Sequence, residues 1–413
     1  MLVGECFLAK KNVIYSGKGI KMKTINEGIK HDKFKMKSDL DKNWLDHEIQ
    51  FVLKKIDENL DTFKEKVPPA ASKNLIYIPE GNTDWTASFW IGMLYLAYEY
   101  TNDEKYLEVI NVQLESFKHR LKENIKLETH DIGFLYSLSC VAGYQVLGDK
   151  TARETAIKAA DKLIIRYHEK AKILQAWGDL SDPEQRGRMI IDCNMNLPLL
   201  YFASKETGDR KYYDIALNHA EQAAKYIVRE DSSTFHTYYM DTVTGVPLYG
   251  KTAQGYSDQS CWARGQAWGV YGFVLSYVHT GDKKFLDIAE RLANYFLNRL
   301  PEDVICYWDL DFTEGYEERD SSAASIMACG LLELSKHLPV SNEYREQYEN
   351  AAVKMIKSLA ENYTTKNVNS NGILLHAVYS KPGGNGVDEC CIWGDYYYME
   401  ALIRTAMSWR MYW

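Results

Sequence analysis

From about Asp41 onward, apolar residues recur at intervals of three and four, the spacing that gathers them on one face of an α-helix. The clearest runs are residues 91–100, 134–147, 197–207, 268–280 and 323–337. Four of them end in a similar turn: Thr101-Asn102-Asp103, Gly148-Asp149, Thr207-Gly208-Asp209 and Thr280-Gly281-Asp282. Glycine suits the left-handed residue that closes a helix, and aspartate caps the next helix by accepting its unpaired N–H groups. A second amphipathic segment follows, as in Lys211-Tyr212-Tyr213-Asp214-Ile215-Ala216 and Lys284-Phe285-Leu286-Asp287-Ile288-Ala289. The four aspartates stand 46, 60 and 73 residues apart, too irregular for an open solenoid. Helical hairpins with insertions of varied length fit a closed ring, with function in the insertions on one face. About six hairpins can be counted up to residues 396–404. The expected fold is all-α: an (α/α)6 toroid of helical hairpins, a single domain over residues 41–413. A HEAT- or TPR-like scaffold is the competing reading, but the long segments between hairpins are rich in Trp, Asp, Gly and His, which is foreign to a pure scaffold.

Charge separates the first 40 residues from the rest. Residues 10–37 hold nine lysines against Glu27 and Asp32, a local charge of +7 in a chain whose net charge is −8. With weak periodicity, residues 1–40 are expected to form a mobile lysine-rich extension, or to be upstream sequence before Met22 or Met36. An arm for nucleic acid is the weaker alternative. The overall balance of 49 basic against 57 acidic side chains argues against non-specific nucleic-acid binding, which needs a basic face. No segment approaches the ~20 apolar residues that span a bilayer, and no secretory signal is evident. The eight cysteines, at 6, 140, 193, 261, 306, 329, 390 and 391, follow no disulfide framework; reduced thiols in a cytoplasmic protein are expected. CxxC, HExxH and calcium-loop motifs are missing. Gly383-Gly384-Asn385-Gly386 lacks the Lys-Ser/Thr of a phosphate loop, so neither a metal nor an organic cofactor is expected. Oligomeric state is left open.

Aromatic residues change the picture: 13 Phe, 10 Trp and 30 Tyr. Tyrosine and tryptophan join an apolar face to a polar tip, which suits either a wet cleft that stacks sugars or a tyrosine-built core. The long insertions hold the candidate chemistry. Asp84 and Trp85, in Asn82-Thr83-Asp84-Trp85, could hold one sugar, or form a cap and a packing indole. Asp131, in His130-Asp131-Ile132-Gly133-Phe134, is either a helix cap or an acid/base group at the toroid mouth. Asp192 sits among apolar residues in Ile190-Ile191-Asp192-Cys193-Asn194. Desolvation would raise its pKa toward that of a general acid, whereas capping by backbone N–H groups would lower it. Arg264, in Trp262-Ala263-Arg264-Gly265-Gln266-Ala267-Trp268, could bind a carboxylate through its two-pronged guanidinium, or pair with a local aspartate such as Asp258. Two carboxylates, an arginine, tryptophans and His236 together point to an acidic sugar.

In this order, the clusters resemble the unsaturated glucuronyl hydrolases of glycoside hydrolase family 88. The matching segments are 82–85, 130–137, 175–178, 190–200, 236–238, 254–268, 307–309, 319–323 and 392–402, and the likeness runs from about residue 45 to 410. The resemblance implies removal of the C4=C5 unsaturated uronic acid from disaccharides left by polysaccharide lyases. It implies that Asp192 protonates C4 and deprotonates the water that adds at C5, with Asp131 as the second essential aspartate. It places Trp85, His130, Trp177, His236, Gln254, Arg264 and Trp268 at substrate-contacting positions. Members that favour sulfated disaccharides carry Ser-x-x-Ser-x-Lys before the last helix; here Ser380 is kept while Gly383 and Asn385 replace the second serine and the lysine. Weakened sulfate preference is therefore expected unless Lys381 compensates. Glycosaminoglycan-derived disaccharides are the expected substrates. An unsaturated rhamnogalacturonyl hydrolase and a non-catalytic carbohydrate-binding toroid are the rival readings.

Overall fold

The computed structural model describes residues 25–182 and 185–413. Six helical hairpins follow one another along the chain. They pair α1 (Lys42–Asn59) with α2 (Ser88–Thr101), then α3 (Lys105–Lys122) with α4 (Ile132–Tyr136), which continues through the π-helical turn Ser137–Val141 into α5 (Ala142–Leu147). Next come α6 (Lys150–Ile164) with α7 (Pro198–Thr207) and α8 (Arg210–Gln222) with α9 (Ala263–Thr280). The last pairs are α10 (Lys283–Leu297) with α11 (Ser321–His337) and α12 (Arg345–Asn362) with α13 (Ile392–Ala406). The first helix of each pair lies outside and the second inside. Outer α10 is amphipathic and buries Phe285, Ile288, Ala289, Leu292 and Phe296 on one side. Inner α9 is buried on every side from Ala263 to Ser276, as a mostly apolar inner helix is, with Arg264 and Gln266 hydrogen-bonded in its first turn. Packing of α13 against α1 and α2 closes the ring, so the fold is the expected α/α toroid.

The turns form as the sequence predicts. Asn102, Gly148, Gly208 and Gly281 are left-handed, with φ of 55°, 70°, 74° and 70°, and close α2, α5, α7 and α9. Asp149, Asp209 and Asp282 accept from backbone N–H groups at the starts of α6, α8 and α10. These inner-to-outer turns are short, so their end of the toroid carries little. The outer-to-inner connections (60–87, 123–131, 165–197, 228–262, 298–320 and 363–391) are long and gather at the other rim, around the N-termini of the inner helices. They add small antiparallel sheets: β1 (Tyr167–His168) with β2 (Ile173–Leu174), β3 (Arg188–Ile190) with β4 (Thr237–Met240) and β5 (Pro247–Lys251), and β6 (Ala377–Ser380) with β7 (Asn385–Glu389).

Most of the aromatic excess is core. Trp90, Trp268, Trp393, Tyr95, Tyr136, Tyr271, Tyr396 and Tyr397 are fully buried inside the ring. The seven described cysteines are buried and unpaired; Cys6 lies outside the described residues. Among the described residues, no helix is long and apolar enough to cross a membrane.

The lysine-rich extension departs from the expected mobile arm in its second half; residues 1–24 lie outside the described residues. From Ile25 to Leu40 the chain lies against the outer layer. Phe34 is fully buried, its carbonyl accepts from Asn350 Nδ2 on α12 at 3.0 Å, and Lys33 Nζ donates to the Pro301 carbonyl at 2.8 Å. The physical reason is composition at single positions: one phenylalanine anchors a segment whose lysines stay at the surface.

Candidate active site

A cleft of about 550 Å³ opens on the rim of long connections, lined by Glu80, Thr83, Asp84, Trp85, Lys126, Thr129, Asp131, Trp177, Ile190, Asp192, Gln254 and Tyr379. Six of the sequence-derived candidates are among them: Asp84, Trp85, Asp131, Trp177, Asp192 and Gln254. Asp131 stands at the start of inner helix α4, and Asp192 on the 3-10 turn Ile191–Met195 that follows β3. That turn is held by close backbone approach. A Cβ on Gly133 would meet Asn196 Cα at 2.3 Å, and one on Gly272 of α9 would meet Asn194 Cβ at 2.4 Å.

The two aspartates differ from ordinary caps. At the N-terminus of α4, the Phe134 N–H donates to Asn196 Oδ1 at 2.7 Å, and Asp131 makes no capping bond. Its carboxylate turns instead to the Thr129 hydroxyl, which donates to Oδ2 at 2.6 Å, while Oδ1 lies 3.3 Å from His130 Nε2. Burial pushes the Asp131 pKa up to about 6 against the Thr129 and Asn196 hydrogen bonds that lower it. Asp192 likewise caps nothing, and its Oδ1 has no protein partner. Burial first, and the Asp131 charge second, raise its pKa to about 7, only partly opposed by Arg264. Of the two readings of Asp192, the geometry therefore matches desolvation, and the carboxyl is poised to exchange a proton near neutrality.

His130, His236, Arg264 and Trp268 are buried behind the cleft lining, which departs from their expected role as substrate contacts. Arg264 is 1% exposed, and its donors are taken by the Val378 carbonyl, the Tyr379 carbonyl at 2.7 Å and Gln254 Oε1 at 2.5 Å. Its acidic neighbour is Asp320, at 3.4 Å, not Asp258. The reason is depth: α9 enters the ring beneath β6, so its first turn buckles the rim together from below. His236 Nδ1 accepts from the Ala253 and Gln254 N–H groups at 3.0 and 3.2 Å, and its ring lies 4.3 Å from that of Trp262. Burial holds the pKa of both His130 and His236 down at about 3, so these imidazoles are neutral. Trp268 is fully buried, its ring 5.4 Å from those of Phe134 and Tyr397, and forms floor. Ser380 accepts from the Gly383 N–H at 3.3 Å on the β6–β7 hairpin, outside the cleft lining. Lys381 is paired with Glu318.

Sequence reasoning missed Glu80, Lys126, Thr129 and Tyr379. Thr129 precedes His130-Asp131 and Tyr379 precedes Ser380, so widening those motifs by one residue would have found both. Glu80 and Lys126 belong to no motif. Tyr379 shapes the wall by accepting from Trp85 Nε1 at 3.1 Å. Among the described residues, Lys126 is the one basic residue lining the cleft, which it shares with Glu80 and Asp84, whose pKa values burial raises.

The model of Glycosyl Hydrolase Family 88 matches residues 56–409. The chain belongs to that family. Family 88 relatives are close. The unsaturated chondroitin disaccharide hydrolase of Streptococcus pneumoniae strain R6 is 49% identical over 367 residues, 88% of this chain and 92% of that one. The crystal structure of the unsaturated glucuronyl hydrolase from Streptococcus agalactiae superposes with a TM-score of 0.92 at 47% identity, covering 94% of this chain and 99% of that chain. A mutant of the same enzyme, complexed with dGlcA-GalNAc6S, superposes with a TM-score of 0.85 at 44% identity over the same shares of the two chains. As a family 88 member the protein is a glycoside hydrolase on an α/α toroid, and the cleft just described is its candidate active site.

Proposed function

We propose that the enzyme releases 4,5-unsaturated uronic acid from the non-reducing end of glycosaminoglycan disaccharides, with Asp192 as acid and base. The observation that carries this reading is the Asp192 carboxyl, buried at the cleft, unpartnered at Oδ1 and held near pKa 7 beside Asp131. The relatives' activity on unsaturated chondroitin disaccharide and their binding of dGlcA-GalNAc6S support the substrate class.

The chemistry follows from the vinyl ether. Protonated Asp192 gives its proton to C4, and the ring oxygen stabilises the cation left at C5. Water adds at C5 and returns a proton to the Asp192 carboxylate, which completes the cycle. The hemiketal at C5 opens, the C1 hemiacetal collapses, and the reducing-end sugar leaves. Hydration thus replaces the direct displacement at C1 of two-carboxylate glycosidases. Asp131, fixed by Thr129, orients the ring beside Asp192. Trp85 and Trp177 flank the sugars, Gln254 bonds them, and His236 and Arg264 hold Gln254 in place. Trp268 and His130 support the floor.

The β6–β7 hairpin points to weak sulfate preference. Gly383 and Asn385 carry no charge, and Lys381 is engaged by Glu318, with Glu317 at 3.9 Å. A missing charge-assisted bond is worth about 1.5–3 kcal/mol. The unpaired buried cysteines support a cytoplasmic location.

The decisive measurement is loss of ultraviolet absorbance of the C4=C5 bond in unsaturated chondroitin disaccharide. Decay with wild type that disappears in Asp192→Asn is the expected result. Persistence of decay in that variant would remove Asp192 from the reaction, and no decay with wild type would remove the reaction itself.

A further inference from the structure

The cleft has a continuation that the disaccharide reaction does not need. Trp177 lines the cleft, and the Arg188 guanidinium lies 4.5 Å over its ring. Arg188 is on β3, where it faces Tyr239 of β4, and Tyr239 in turn faces Tyr249 of β5. Directly opposed residues share one face of a sheet, so the three side chains form a row. Contacts bear this out: Arg188 Nε donates to the Tyr239 hydroxyl at 2.9 Å, and the Tyr239 and Tyr249 rings stack at 4.9 Å with 26° between their planes. Lys251, two residues beyond Tyr249, is on the same face of the edge strand and exposed. Adjacent strands are about 4.8 Å apart, so the row reaches about 10 Å outward from the cleft wall.

Tyr249 is 55% exposed although it stacks on a neighbour, and among the described residues no carboxylate pairs with Arg188 or Lys251. Tyrosine rings with amphipathic faces, flanked by two cations, suit a sugar that bears an anionic group. We propose that Tyr239 and Tyr249 form a second sugar platform that receives the reducing-end extension of longer unsaturated oligosaccharides, with Arg188 and Lys251 facing a uronate carboxylate of that extension. The platform is continuous with the cleft through Trp177, and alternating uronates in a lyase product supply the complementary charge. The inference rests on the proposed activity for its direction, since the unsaturated end must enter at Asp192.

The test compares unsaturated disaccharide with unsaturated tetrasaccharide from unsulfated chondroitin, for wild type, Tyr249→Ala and Tyr249→Phe. The tetrasaccharide-to-disaccharide ratio of kcat/KM should fall about tenfold in Tyr249→Ala, through KM, and recover in Tyr249→Phe, which keeps the ring. An unaltered ratio in Tyr249→Ala overturns the platform while leaving the activity in place. If wild type turns over neither substrate, the activity fails instead. Calorimetric binding of the tetrasaccharide then decides the platform: about tenfold weakening by Tyr249→Ala sustains it, and equal affinity removes it.

Discussion

At the scale of single residues, the cleft buries two carboxylates and denies them their usual solvation. Asp192 and Asp131 lie close enough that ionising one raises the pKa of the other, so their apparent pKa values belong to the pair. In the proposed reaction donation needs protonated Asp192, so kcat/KM is expected to fall as pH rises through about 7, and below about 6 protonation of Asp131 is expected to give the opposing limb. A pH–rate profile on unsaturated disaccharide checks both limbs, and Asp131→Asn should erase the acid one. Replacing Asp192 by asparagine should lower kcat by about 10²–10⁴. The same variant carries a stability signature. An aspartate whose folded pKa is raised to about 7 from an ordinary ~3.9 contributes its full stability below about pH 4 and loses it as pH rises through about 7. Asp192→Asn cannot ionise, so its Tm should exceed that of wild type at pH 8 and approach it toward pH 4. Equal Tm differences at the two pH values would falsify the buried-acid assignment.

At the scale of elements, the two ends of the toroid have separate duties. Asp282 caps α10 at the end away from the cleft, so Asp282→Ala should cost about 1 kcal/mol in thermal or urea unfolding without altering kcat/KM. Gly272 sits under the Asp192 turn, where an added Cβ would come 2.4 Å from Asn194 Cβ. Gly272→Ala should therefore cost about 1–3 kcal/mol and lower kcat as well, because relief of the clash displaces the turn that bears Asp192. On the proposed reading, the β6–β7 hairpin sets sulfate preference. Wild type should not favour 6-sulfated over unsulfated unsaturated chondroitin disaccharide, and Asn385→Lys should raise the sulfated-to-unsulfated kcat/KM ratio about tenfold. A strong sulfated preference in wild type would sink that reading.

At the scale of the whole molecule, closure is what makes a cleft from separate hairpins. Insertions from five different hairpins supply its lining, and the ring holds them in register through α13 against α1 and α2. The far end is filled by the last residues of the chain. Trp413 stacks on Tyr397 at 6.0 Å, meets Phe134 at 5.9 Å, and donates through Nε1 to Glu400 at 3.0 Å. Outside the ring, residues 25–40 act as a strap anchored by Phe34. Phe34→Ala should destabilise by about 3–5 kcal/mol, read as a fall in Tm, while kcat/KM stays within twofold because Phe34 is seated against outer helix α12 and not in the cleft lining.

Local order in this protein was legible from sequence because its causes are local. Helix periodicity, the left-handed Asn102, Gly148, Gly208 and Gly281, and the capping aspartates depend only on near neighbours, and from them came the hairpins and the ring. Motif order along the chain likewise marked Asp131, Asp192, Trp85, Trp177 and Gln254, which meet in one cleft. Depth was decided only by tertiary structure. Arg264 and Trp268 share a motif with Gln254, yet α9 carries them beneath the wall, and His236 is buried there just before β4. Arg264 supports Gln254 through its guanidinium, and His236 does so through its imidazole. Whether Asp131 capped its own helix turned on Asn196, 65 residues away, whose side chain takes that duty and frees the carboxylate. A residue's type states what it can bond, but burial and the competing partners that set its protonation and direction come from segments brought together only when the ring closes.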